Sequence, residues 1–148
     1  MTTRERLQHL AEMLENWEET KKATKVDKFD IRHWYRYALE DCGTVACAGG
    51  MAARHPLFQA EGLTLSHYNA PKYGERGPNA SLEKFFGLSE AEEVYIFHSY
   101  SYKAINIILK AINITPINIT PRMVAKHIRE VLSGKLSCVP SSRHRRAD

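Results

Sequence analysis

DCGTVACAGG, residues 41–50, holds two of the three cysteines and three of the eight glycines of a 148-residue chain. Read as a helix start, it places a small-residue helix at the centre of the fold. Thr44 is a capping residue type, and Pro56 closes such a helix by disfavouring helical backbone at His55. Val45, Ala46, Ala48, Gly49, Gly50, Ala52 and Ala53 are nearly all small. A helix built from them can press its backbone against a neighbour or a ligand, although each glycine costs ~1 kcal/mol relative to alanine.

Outward from this stretch, helical spacing dominates. Thr2 and Glu5 have the capping-box spacing, and Leu7, Leu10, Leu14 and Trp17 recur as one amphipathic face, predicting a first helix that ends near Lys21 and Lys22. Residues 23–30 read as a polar connector, and the apolar cluster of residues 31–39 as a short helix. SHYNAPKYGERGPNA, residues 66–80, has two prolines, two glycines and no periodicity, which predicts a long loop. SLEKFFGLSEAEEVYIF predicts two helices, the first closed by Gly87 and the second opened by Ser89. The run from Tyr100 to Leu109 fits strand or helix equally. The tandem INITP repeat over residues 112–121 predicts an extended segment, whose Thr120 and Pro121 open a last helix with Val124, Ile128, Val131 and Leu132 inward and Gly134 at its end. The fold class is therefore mainly α: a single compact helical domain over residues 1–134 with a long central loop and little or no sheet, followed by a basic, flexible tail over 135–148.

The formal charge of +4 comes largely from that tail, which carries four basic residues and one acid. A near-neutral body without a clustered Lys/Arg face argues against nucleic acid as a partner. No apolar run reaches the ~18 residues of a membrane span, and no secretion signal opens the chain. These features predict a cytoplasmic protein with free thiols and no membrane partner.

Four chemistries compete around Cys42. Lying before a helix N-terminus, it would be a nucleophile with a stabilised thiolate. As metal ligands, Cys42 and Cys47 lack the C-x2-C spacing of structural zinc, so neither metal nor cofactor is expected. As an anion cradle, Gly43, Thr44, Val45 and Ala46 would present backbone amides. As structure alone, Cys47 is a small buried hydrophobe and the glycines serve packing.

The word D-C-G-x-x-C resembles the active-site segment of the C39 bacteriocin-processing peptidases, which are papain-like. That resemblance implies Cys42 as nucleophile, with His67 or His98 as the partner base. A broader resemblance covers most of residues 29–133: FDIRHW at 29–34, CGTVACAGG at 42–50, FFGL at 85–88 and TPRMVAKHI at 120–128. This order is similar to that of a group of small proteins from bacteria and their phages, and it implies an organisation rather than an activity.

The expected function is a small non-enzymatic binding protein that captures an anionic, nucleotide-like small molecule or a host protein. Gly43, Thr44 and Ala46 would supply amides, and Tyr68, Lys72, Tyr73 and Arg76 would complete the pocket by charge and stacking. One alternative is a cysteine hydrolase using Cys42 and His67; another is an interaction module built on Trp34, Tyr35 and Tyr37.

Overall fold

The computed structural model describes residues 1–31, 35–37, 44–98, 102, 111–112 and 118–135; for 35–37, 44 and 45 it describes the backbone alone. The protein is mainly α. Helices are α1 (Thr3–Glu15), α2 (Trp17–Thr24), α3 (Ala48–Arg54), α4 (Pro56–Gln59), α5 (Pro78–Phe86), α6 (Glu90–Phe97) and α7 (Pro121–Leu132). Short strands are β1 (Lys28–Phe29), β2 (Tyr35–Tyr37), β3 (Thr44–Ala46), β4 (Thr64–Leu65) and β5 (Pro71–Lys72).

The terminal helices form as their caps dictate. The Thr2 hydroxyl accepts from the Glu5 amide at 3.1 Å while the Glu5 carboxylate accepts from the Thr2 amide at 2.7 Å. These bonds hold the exposed Glu5 carboxyl below its ordinary pKa. At the other end of the chain, the Thr120 hydroxyl accepts from the Met123 amide at 3.3 Å and Pro121 occupies the first turn. Val124, Ala125, Ile128 and Val131 then face inward, and α7 packs along α1. Between α5 and α6, Gly87 adopts φ +67°, a left-handed conformation that favours glycine, and Ser89 opens α6 with a second capping box.

Several expectations need correction. The first helix is two: Asn16 leaves helical geometry at φ −106° and ψ 51°, and the Thr20 hydroxyl spans the break by donating to the Met13 carbonyl at 2.7 Å. The apolar spacing runs through this break, since Trp17 continues the face and packs edge-on against Phe29 at 5.8 Å, so periodicity alone hides it. In the segment expected as a helix over 31–39, residues 35–37 are strand β2. Thr44, expected as a helix cap, opens strand β3, the middle strand of a three-stranded sheet ordered β1-β3-β2.

The β-branched Thr44 and Val45 suit a strand better than a helix start, and Val45 and Ala46 are paired on both sides. β1 runs parallel to β3, with Lys28 against Val45 and Phe29 against Ala46, while β2 is antiparallel, with Tyr35 opposite Ala46 and Tyr37 opposite Thr44. The helix begins three residues later than expected, after Cys47, and Pro56 ends it as expected, with His55 extended at ψ 130°. All of Ala48 to Ala53 is buried, and α3 packs against β4 and β5. Around it lies an aromatic cluster in which Phe58 meets Phe85 and Phe86, each at 5.5 Å and near-perpendicular. The segment expected as a loop over 66–80 instead contains β5 and the start of α5. The strand-or-helix segment over 100–109 lies, apart from Tyr102, outside the described residues, as do 113–117 of the repeat and 136–148 of the tail.

Candidate functional site

A β-hairpin packs over α3. β4 and β5 pair antiparallel, Thr64 opposite Lys72 and Leu65 opposite Pro71, leaving Ser66 to Ala70 as the tip. Ser66 organises the tip. Its amide donates to the Ala70 carbonyl at 2.8 Å, its carbonyl accepts from the Asn69 amide at 2.9 Å, and its hydroxyl accepts from the Tyr68 and Ala70 amides at 3.3 and 3.4 Å. Asn69, at φ +60°, is a residue type that tolerates the left-handed turn.

This frame holds Tyr68 outward, 81% exposed, with its ring 4.0 Å from that of His67. Lys72 and Arg76 are also exposed. Tyr73 points the other way: its ring packs at 5.2 Å and 76° on Phe85. Behind it, the Ser81 hydroxyl accepts from the Tyr73 amide at 2.9 Å and donates to the Arg76 carbonyl at 3.2 Å. The base of the hairpin is thereby tied to α5.

Of the residues expected to hold an anion, Tyr68 and Lys72 lie exposed on the hairpin, Arg76 lies exposed in the loop that follows it, and Tyr73 packs against the core. Cys42 and Gly43 lie outside the described residues. Thr44 and Ala46 do not open a helix. Ala46 is fully buried and its carbonyl accepts from the Asp30 amide at 3.0 Å, so an amide cradle at the start of α3 does not include them. Cys47, at the cap position of α3, is a buried thiol whose pKa burial pushes up to about 11. The thiol form therefore prevails there. His67, expected as a partner base, sits on the exposed hairpin tip against Tyr68.

Two clusters escape a reading of the sequence. Glu93 is 1% exposed on the inner face of α6, and its carboxylate oxygens lie 3.1 and 3.0 Å from His98 Nε2. Burial, the largest cause, raises the Glu93 pKa, and His98 opposes it. The signal was present: Glu93, Ile96 and Phe97 share one helical face, which puts a carboxylate at a core position. The second cluster is a stack in which the His127 ring lies between Tyr95, at 4.1 Å and 10°, and Tyr102, at 4.2 Å and 14°. His127 Nδ1 meets the Tyr95 carbonyl at 2.8 Å, and the Tyr102 hydroxyl donates to the Ile96 carbonyl at 2.9 Å. The Tyr95 hydroxyl donates to Glu130, and burial together with that carboxylate pushes its pKa up to about 12. Because this stack joins residues from three parts of the chain, no local pattern announces it.

Among the described residues, no group of three or more His, Cys, Asp or Glu side chains is arranged to hold a metal ion. Among them, too, no helix is long and apolar enough to cross a membrane. No protein-family model, curated protein or solved structure matches the chain.

Proposed function

We propose that this chain is a non-enzymatic binding protein whose recognition element is the β4–β5 hairpin, with an acidic protein surface as partner. The observation that carries this reading is Tyr68, 81% exposed on a turn held by Ser66. Tyrosine offers a large amphipathic contact area, and such side chains serve as anchors when a partner supplies a socket. A pre-ordered turn lowers the conformational entropy lost on binding. Lys72 on β5 and Arg76 in the loop beyond it are exposed positive charges, favouring a partner with an acidic rim. An exposed hairpin tip suits a macromolecule better than a small molecule, which needs a concave site.

The test is affinity capture from a bacterial lysate with immobilised wild type, Tyr68→Ala and the double variant Lys72→Glu with Arg76→Glu, each checked for an unchanged melting temperature. A partner held by wild type should bind Tyr68→Ala roughly tenfold or more weakly, as expected for an anchor residue. The charge-reversal variant should also lose it, and added salt should weaken the wild-type complex. Capture of the same proteins by all three, or of none by wild type, overturns the reading. Stabilisation of wild type by nucleotides, abolished by Arg76→Ala, would overturn it in favour of an anionic small ligand.

A further inference from the structure

α4 is the lead-in to the hairpin. It carries Phe58, fully buried against Phe85 and Phe86, and the Leu63 amide, one residue before β4, donates to the Phe58 carbonyl at 3.1 Å. The residue that opens α4 is His55, extended at φ −77° and ψ 130° ahead of Pro56. Its ring Nδ1 accepts from the Leu57 amide at 3.2 Å. A backbone N–H can only donate, so Nδ1 must present its lone pair, and the neutral ring carries its hydrogen on Nε2. The Leu57 amide belongs to the first turn, where amides have no partner within the helix.

We propose that His55 is an acid-sensitive cap: with a neutral ring it closes the first turn of α4, and protonation of Nδ1 opens that turn at the root of the hairpin. In the imidazolium both ring nitrogens carry hydrogen, so two donors face each other where one bond stood. The surroundings act in the same direction. The ring is half-buried, with its centroid 6.1 Å from that of Phe58. Among the described residues, the charge acting on it is that of His9 on α1, itself 3.6 Å from Glu12. Arg54, the adjacent cation at the end of α3, is turned to the Thr24 carbonyl at 3.4 Å. Burial first and His9 second hold the His55 pKa below its ordinary value. The native state therefore takes up this proton less readily than the unfolded chain. The contribution of the cap is complete above the ordinary imidazole value of about 6.5 and is lost as pH falls through the folded value. None of this depends on what the hairpin binds.

Nuclear magnetic resonance of the full chain, stepped from about pH 7.5 down to about pH 4.5, spans the range in which the ring changes charge. At the upper end the ring nitrogen shifts should show Nε2 as the protonated nitrogen, and the opposite tautomer overturns the proposal. Protection of the Leu57 amide from hydrogen exchange, corrected for intrinsic exchange and referred to interior amides of α7, should fall several-fold as the His55 ring titrates. His55→Asn supplies a capping acceptor that does not titrate in this range, and its relative protection at Leu57 should be the same throughout. His55→Ser gives a second pH-flat cap should His55→Asn fail to fold. Wild-type protection that stays level while the ring titrates overturns the proposal, as does a pH dependence at Leu57 that persists in either variant.

Discussion

Gly87→Ala should be among the most damaging single-methyl additions in this protein, and the reason separates two effects. Gly87 sits at φ +67°, and a Cβ there would lie 2.6 Å from Thr3 Oγ1, 2.7 Å from Thr3 Cβ and 3.1 Å from Thr3 Cγ2. Left-handed backbone costs an L-residue about 1–2 kcal/mol, partly offset by the smaller conformational freedom of alanine in the unfolded chain. Relieving the contact requires the first turn of α1 to move by roughly 1 Å, since carbon atoms pack at about 3.5–4.0 Å. Overpacking of that kind costs about 1–3 kcal/mol. Gly74 is the control: it has the same φ of +67°, but its added Cβ would meet only Arg76 Nη1 at 3.4 Å, the far end of a flexible side chain. Gly74→Ala should therefore show the backbone effect alone. In urea or thermal unfolding, Gly87→Ala should be the less stable of the two by about 1–3 kcal/mol, or roughly 2–12 °C for a chain of this size. Partner variants refine the test. Thr3→Ala leaves the 2.7 Å contact in place and should rescue little, whereas Thr3→Gly removes all three atoms and should show favourable coupling to Gly87→Ala in a double-mutant cycle. Equal losses in Gly87→Ala and Gly74→Ala, or no coupling with Thr3→Gly, would refute the close approach of α1 to the α5–α6 turn.

Two further outcomes follow from buried polar groups. The Cys47 thiol has its pKa pushed up to about 11 by burial, so the native state keeps a proton that the unfolded chain releases at lower pH; stability should fall as pH rises from about 9 to about 11. The full difference is about 3 kcal/mol. Urea unfolding of wild type against Cys47→Ala should show that slope only in wild type, and Cys47 should resist iodoacetamide in the native state. Ser81→Ala leaves the Tyr73 amide and the Arg76 carbonyl without the hydroxyl that now serves both. A cost of about 1–3 kcal/mol is expected, with faster amide exchange at Tyr73; unchanged exchange there would mean that Ser81 does not fix the base of the hairpin.

The helices were legible where a short-range rule is strong enough to decide. Thr2 with Glu5, Gly87, Ser89 and the Thr120-Pro121 pair each settle a boundary through bonds within four residues, and the structure places boundaries at each. Illegible features depend on partners outside the segment itself. Residues 35–37 form a strand because β3 lies beside them, and β3 forms because β1 lies on its other side. Nothing local to FDIRHW or CGTVA supplies those partners, and strand propensity is mainly a statement about neighbours. The break at Asn16 was hidden for the opposite reason: the apolar spacing is continuous while the backbone is not.

For the candidate site, residue type was readable but direction was not. Tyr68 and Tyr73 lie five residues apart on one hairpin, yet one ring is 81% exposed and the other packs on Phe85. The difference arises from the Ser66-centred turn and from Ser81, a residue eight positions beyond Tyr73 that fixes its amide. The small residues of CAGGMAA have their explanation here too. With Ala48, Gly49, Gly50, Met51, Ala52 and Ala53 all buried, α3 is a thin interior helix against which β4 and β5 can lie closely. A larger side chain at Ala52 or Ala53 would be forced into a filled interior and would lift the hairpin. The segment that most resembled a chemical site is therefore, in its described part, the platform on which the β4–β5 hairpin stands, and a change in the core at α3 should reach the exposed ring of Tyr68 through that hairpin.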